Sequence, residues 1–177
     1  MSLRHAILGI LATRPMSGYD LRKEMAARMA HVWTADQAQI YRTLSALVEE
    51  GCVAVETVAQ DRRPDRRLHR ILAQGKRELG GWLAKPLTDP PVRNGFLLRL
   101  YNGEHLADGD LRALLTVRIG AARRQVAALS SLVETLGADE GRSRAGRLKR
   151  ASVEHALAHA RAELAWAQTL YDEVAPS

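Results

Sequence analysis

Residues 60–71 read QDRRPDRRLHRI, and five of those twelve positions are arginine. They stand between two short segments of alternating apolar character, CVAVETVA at 52–59 and RLHRIL at 67–72. Alternation is the period of a half-buried strand and Pro64 marks a turn, so the pair predicts a two-stranded hairpin with charge gathered at its tip. Val53, Val55 and Thr57 are expected on one face, with Leu68 and either Ile71 or Leu72 opposite them. A solvated turn needs polarity, but it does not need Arg62, Arg63, Arg66, Arg67 and Arg70 together. Asp61 and Asp65 can balance part of that charge, which leaves solubility as the plainer explanation. Arginines crowded on one hairpin repel one another unless an anion sits among them, and phosphate contact is the stronger reading.

Upstream of the hairpin the period is helical. SLRHAILGILA carries Leu3, Ala6, Ile7, Ile10 and Leu11 at helical spacing, and Pro15 ends any helix before it. In MSGYDLRKEMAARMA, Ser17 is a candidate N-cap and Leu21, Met25 and Met29 form a stripe. In TADQAQIYRTLSALVEEG both Thr34 with Gln37 and Asp36 with Gln39 have capping-box spacing. Ile40, Leu44, Leu47 and Val48 make the buried face of that helix, and Gly51 is placed to end it. Downstream, QGKRELGGWLAKP reads as a short helix ended by Pro86, with Leu79, Trp82 and Leu83 inward.

Three helices, a hairpin and a helix in that order fit a winged helix-turn-helix, in which the third helix can enter a major groove and the hairpin can lie against backbone. Gln37, Gln39 and Arg42 then fall on the exposed side of the third helix. Glutamine can bridge adenine, and arginine can reach guanine or phosphate. Tyr41 is offset from the buried stripe, either packed in the core or with its hydroxyl toward phosphate. Tyr19 and Trp33 leave the same two readings open. His69 reads as a strand residue.

The charge agrees with this placement. The formal net charge is +6; residues 1–86 hold 14 basic against 9 acidic side chains, and residues 87–177 hold 12 against 11. A positive field in the front half suits a polyanion such as nucleic acid, and an anionic membrane surface would fit it too. Cys52 is the single cysteine, which excludes an internal disulfide and suits a reducing, cytoplasmic setting; it reads as a small hydrophobe at the start of a strand. No stretch approaches a transmembrane helix, and the apolar run near the N-terminus is too short to span a bilayer.

PLTDPPVRNG, residues 86–95, carries three prolines and a glycine and reads as a linker. FLLRLYNGEHL follows as a short apolar helix. From Leu111 to Leu136 apolar residues recur at spacings of three and four, which describes one long helix with a seam. A last helix from about Arg147 to Val174 has Val153, Leu157, Ala160, Leu164, Ala167 and Tyr171 as its seam. Trp166 and Leu170 lie off it, so a second copy of the chain is the expected partner for the remaining surface. A twofold dimer would match a palindromic site in double-stranded DNA with half-sites about 34 Å apart. The fold class is therefore mainly α, with a winged helix-turn-helix at 1–85, a linker at 86–95 and an α-helical dimerisation domain at 96–177.

Chemistry is absent from the pattern. There is no acidic pair, no Ser-His-Asp order, no glycine-rich phosphate loop and no Cys-His set, and GYD and GEH are too short to signal catalysis. The chain does not read as an enzyme, and no cofactor is implied. His155, His159 and Glu163 recur every four residues, but three ligands on one helical face span about 12 Å, too far for one ion. They read as a solvated face, and no metal is expected.

These residues carry a resemblance. AILGILATRPMSGYDLRKEM, IYRTLSALVEEGCV and DRRPDRRLHRILAQGKRELGGWL, in that order, resemble the first two helices, the recognition helix and the wing of the PadR-like transcriptional regulators of bacteria. The three blocks cover nearly all of residues 5–85. The second half is similar in outline to the larger subfamily, whose long C-terminal helices form a dimer. By position, the resemblance puts Gln37, Gln39, Tyr41 and Arg42 on DNA and Arg63, Arg66 and Arg67 on the wing, beside Arg62. It departs at TADQAQIY, where the family often has serine, proline and glycine, and at His69 and Ala73, where it often has tyrosine and threonine. It implies a homodimeric repressor released by a planar hydrophobic or phenolic effector, with Trp82, Phe96, Trp166 and Leu170 apolar enough to line a pocket, or else to serve as plain dimer core. Two other functions remain open: an autoregulating repressor without effector, and a protein-interaction module on the same fold without specific DNA binding.

Overall fold

Pro15 cannot continue a helix, and the first helix of the computed structural model, α1 (Leu3–Leu11), stops four residues short of it. The structure describes residues 3–59, 66–87, 91, 93–136 and 143–174. They fall in two compact units, Met1–Asp89 and Pro90–Ser177. In the first, β1 (Met16–Ser17), α2 (Gly18–Arg28), α3 (Gln37–Glu49), β2 (Val53–Val58), β3 (Arg66–Ile71) and α4 (Ala73–Leu83) follow α1.

Three helix ends have a clear local cause. Ser17 caps α2 by accepting from the Asp20 amide, and Asp36 caps α3 by accepting from the Gln39 amide at 2.7 Å. Of the two capping positions open in the sequence, the chain uses the second, so Gln37 is the first residue of α3. At the other end Gly51 takes a φ of 70°, where a side chain would be strained. Its amide donates to Val48 O and the next amide, of Cys52, to Leu47 O, which is a Schellman cap. That reversal turns the chain directly into β2.

The sheet differs from expectation. It has three strands in the order β1-β3-β2, all antiparallel. Met16 and Ser17 pair with His69 and Leu68, an edge strand too short to show a period in the sequence. The register also corrects which side of β3 faces the core. Val53 lies opposite Ile71 and Val55 opposite His69, so His69 and Ile71 share the inner face and Leu68 does not.

The core of this unit is made by Ile7, Leu8 and Leu11 of α1, Leu21 and Met25 of α2, Ile40, Leu44 and Leu47 of α3, and Val53 and Ile71 of the sheet. Cys52 is fully buried with them, and its thiol donates to Glu78 at 3.3 Å. Burial first, and then that carboxylate, pushes the thiol up from its ordinary value, which keeps it a protonated packing residue. Arg4 of α1 bridges Glu50 and Glu78 and ties α1 to the end of α3 and to α4. Leu79 packs against the core. Leu83, expected inward, is 67% exposed. Trp82 stacks flat on His5, with ring centroids 4.6 Å apart.

The second unit holds α5 (Gly95–Tyr101), a 3₁₀ turn (Gly103–His105), α6 (Asp108–Thr135) and α7 (Arg144–Glu173). The expected FLLRLYNGEHL helix is thus broken at Asn102. Helices α6 and α7 lie antiparallel: Arg112 near the start of α6 donates to the Tyr171 hydroxyl, and Leu129 and Leu136 near its end meet Val153 and Leu157. The seams follow the predicted spacing, and α7 begins three residues before Arg147, capped by Ser143, which accepts from the Gly146 amide.

Glycine spacing in α4 gives a test of opposite signs. A Cβ on Gly75 would sit 2.5 Å from Cys52 O, whereas one on Gly80 would meet nothing within 4 Å. Gly75→Ala should lower the thermal midpoint, because a backbone clash costs about 1–3 kcal/mol. Gly80→Ala should raise it, through a gain in helix preference of up to about 1 kcal/mol. Thermal unfolding followed by circular dichroism checks both.

Candidate nucleic-acid interface

The stripe that buries Ile40, Leu44 and Leu47 forces the other side of α3 outward. Arg42 lies opposite that stripe and Gln39 and Tyr41 flank it, whereas Gln37, seven residues before Leu44, shares the stripe's side and is exposed at the first position of the helix; all four are exposed. Tyr41 is set by a neighbour: a Cβ on Gly18 would come within 2.6 Å of its ring, so its ring lies over the bare backbone at the start of α2. It is therefore a surface residue resting on α2 and not core. Tyr19 is exposed as well, with the Arg22 guanidinium 5.5 Å from its ring centre, while Trp33 packs against the core.

Between α2, α3 and β3 runs an open groove of about 780 Å³, lined among others by Ser17, Asp20, Tyr41, Arg66 and Arg67. The structure thus brings Tyr41, Arg66 and Arg67 to one groove and leaves Gln37, Gln39 and Arg42 exposed on the same helix outside its lining. Arg62 and Arg63 lie outside the described residues. His69 forms the floor, its Nδ1 3.4 Å from Met16 O.

One residue that the sequence pattern did not single out belongs to this groove. The Asp20 carboxylate accepts from the Ser17 hydroxyl at 2.6 Å and from Arg66 on the same oxygen. Ser17 first, and then Arg66, hold that carboxyl below its ordinary range. The available signal was charge: one acid in the first turn of α2, ahead of a hairpin rich in arginine.

In the second unit, Phe96 and Trp166 meet edge to face, ring centres 6.0 Å apart. The Arg118 guanidinium lies 4.9 Å above the Phe96 ring and is ion-paired to Glu163. Beside them a cavity of about 310 Å³ opens between α5 and α6, lined by Phe96, Arg99, Leu114, Val117, Arg118 and Ala121 with Gly95. Leu170, half-buried on α7, does not line that cavity, and neither does Trp166. Trp82 belongs to the first unit, on His5. The rings of His155 and His159 lie 4.5 Å apart, tilted by 50°, while Glu163 of the same face is engaged by Arg118. Among the described residues no cluster of three or more His, Cys, Asp or Glu could hold a metal ion, and no helix is long and apolar enough to cross a membrane.

Residues 7–81 match the transcriptional regulator PadR-like family, and residues 92–174 match the virulence activator alpha C-terminal family. A probable transcriptional regulator of Mycobacterium tuberculosis is 36% identical over 143 residues, 81% of this chain and 71% of that protein. The chain belongs to the PadR-like family of transcriptional regulators. The negative transcriptional regulator PadR of Bacillus subtilis is 32% identical over 100 residues, 56% of this chain and 55% of that protein. A crystal structure of that PadR in complex with operator DNA shares the fold at a TM-score of 0.82 and 24% identity, covering 98% of this chain and 99% of the other. It has also been solved with p-coumaric acid. The virulence activator AphA of Vibrio cholerae aligns at a TM-score of 0.78 and 28% identity over 98% of each chain. The winged helix-turn-helix with C-terminal helices is thus the architecture of this PadR-like chain.

Burial of three histidines should make the winged unit sensitive to acid. Desolvation lowers His5, His31 and His69 from their ordinary value, and Arg67 adds to the effect at His69. Folded, these rings stay neutral to lower pH than the unfolded chain, whose histidines protonate near 6.5. Below that point the unfolded state binds more protons, so stability falls as pH falls. The thermal midpoint should drop between about pH 7.5 and about pH 5.5, and His69→Gln should flatten the drop.

Proposed function

We propose that this PadR-like regulator is a homodimeric repressor that reads a palindromic operator with α3 and grips its backbone with the wing. Residues 1–85 would bind DNA, 86–95 would link, and 96–177 would pair two copies. What carries the reading is the exposure of Gln37, Gln39, Tyr41 and Arg42 in the first two turns of α3, next to a groove edged by Arg66 and Arg67. Glutamine and arginine can contact base edges, and the wing arginines suit phosphate. Arg62 and Arg63 add to the same charge in the sequence. The sign of regulation is taken from the negative regulator PadR; AphA is an activator, so a promoter fusion is needed to read it for this chain.

For release, we infer a planar aromatic carboxylate. Phe96, backed by Trp166 edge to face, offers an aromatic wall, and Arg118 and Arg99 offer charge for the carboxylate in the 310 Å³ cavity. The complex of Bacillus subtilis PadR with p-coumaric acid supports this chemistry.

A mobility shift on a duplex enriched from a random pool should show a discrete complex that survives unrelated competitor. The double variant Arg66→Ala, Arg67→Ala should weaken it and flatten the salt dependence, by roughly 0.9 in log–log slope for each phosphate no longer neutralised. If no duplex is enriched, the interaction-module reading takes its place.

Titration with p-coumaric acid should quench tryptophan fluorescence and release the DNA, and Phe96→Ala should weaken both responses. If a broad panel of phenolic and planar drug-like compounds does neither, the effector-independent repressor replaces it.

A further inference from the structure

The tripeptide Gly18-Tyr19-Asp20 does three separate things at the groove between α2, α3 and β3. Gly18 makes room for Tyr41, Tyr19 faces out beside Arg22, and Asp20 reaches across to β3. Asp20 is itself held: its amide donates to the Ser17 hydroxyl at 3.1 Å and the same hydroxyl donates back to its carboxylate at 2.6 Å. Ser17 in turn pairs with Leu68 across the β1-β3 ladder. The carboxylate is therefore fixed by a helix cap and by a strand before it meets Arg66.

Arg66 is the first residue of β3 and pairs with Val58, the last of β2. It stands at the wing end of the sheet. One of its terminal nitrogens is used by Asp20, while a guanidinium carries five N–H donors in a planar fork. The remaining donors can still meet a phosphate. A carboxylate that takes one side of the fork orients the other.

We propose that Asp20 is a positioning residue for DNA recognition: it orients Arg66 and sets the base of the wing against α2, so that the wing and α3 meet a duplex in one register. This rests on the DNA-binding reading above. The opposite role would be a guard, with Asp20 competing against phosphate for Arg66; the two roles change binding in opposite directions.

The test compares full-length wild type and Asp20→Asn on an enriched duplex and on a random duplex at one salt concentration. Positioning predicts affinity for the enriched duplex falling about 5- to 10-fold, the size of one good contact, with random-duplex affinity unchanged or slightly raised. It also predicts that Asp20→Asn has no further effect once Arg66 is alanine. Arg66→Lys, which keeps the charge but removes the fork, should reduce discrimination in the same way and stands in if Asp20→Asn does not fold. Tighter binding of both duplexes by Asp20→Asn would establish a guard and overturn the proposal. A lower thermal midpoint with discrimination intact would leave only a helix-cap role and also overturn it. If wild type enriches no duplex, the DNA-binding reading itself fails; if wild type discriminates and the variants do so equally well, this inference alone fails.

Discussion

Ile40, Leu44 and Leu47 are 1%, 2% and 0% exposed, and this one buried stripe orients everything at the proposed interface. Spaced at four and three residues, they fix the rotation of α3 about its own axis, because truncating any of them to alanine costs about 2–5 kcal/mol. With that face held against α1 and β2, Arg42 has nowhere to go but outward and Gln39 and Tyr41 stand at either side, while Gln37 is exposed as the first residue of the helix. The Asp36 cap sets where the helix starts, so the polar side chains occupy its first two turns. The Schellman cap at Gly51 sets where it ends and directs the chain into the sheet. Core packing, capping and surface chemistry are therefore one constraint read at three distances.

The second unit works under different physics. Two antiparallel helices can bury only one stripe each, and α6 and α7 fill theirs with Leu115, Ala122, Leu129, Val153, Leu157, Ala160 and Ala167. Alanines bring the helices close, and Arg112 with Tyr171 and Arg118 with Glu163 pin their register. Val117 stays 71% exposed and Leu148 62%. Apolar surface of that kind on a two-helix hairpin is what a second copy of the chain would cover, which is the physical ground for reading this half as a dimer element.

Long periods and special residues were legible in the sequence. The seams of α6 and α7, the buried face of α3, the Ser17 cap and the glycine at 51 all repeat a signal over several residues or need a residue type few other positions need. What escaped depends on partners distant in the chain. Met16 and Ser17 form a strand only because β3 lies beside them, and two residues carry no period. The inner face of β3 runs through His69 rather than Leu68 because the register with Val55 decides it, against hydrophobicity. Leu83 was expected on the inner face of its helix, yet it is 67% exposed while the preceding Trp82 stacks on His5. Asp20 was invisible as a site because its role exists only with a partner 46 positions along the chain. The candidate site was thus readable as exposed residues on a helix and a charged hairpin, while the groove that joins them was not.

A charge held between alternatives recurs in both halves. Arg66 has a carboxylate on one side and an open groove on the other. Arg118 has Glu163 on one side, the Phe96 ring on another, and a cavity beside it. Neither group is buried deeply enough to be locked, and neither is free in water. A ligand can shift a regulator between states only by the difference in its affinity for them, so a site that binds without rearranging its neighbours regulates nothing. Arg118 satisfies that requirement in principle: an incoming carboxylate would have to share or displace Glu163 on α7, which alters how α6, α7 and Phe96 of α5 hold together. A purely apolar ligand in the same cavity would leave the ion pair intact and have far less to work with. For the release proposed above, the chemistry of Arg118 would favour an anionic effector over a neutral one of the same shape.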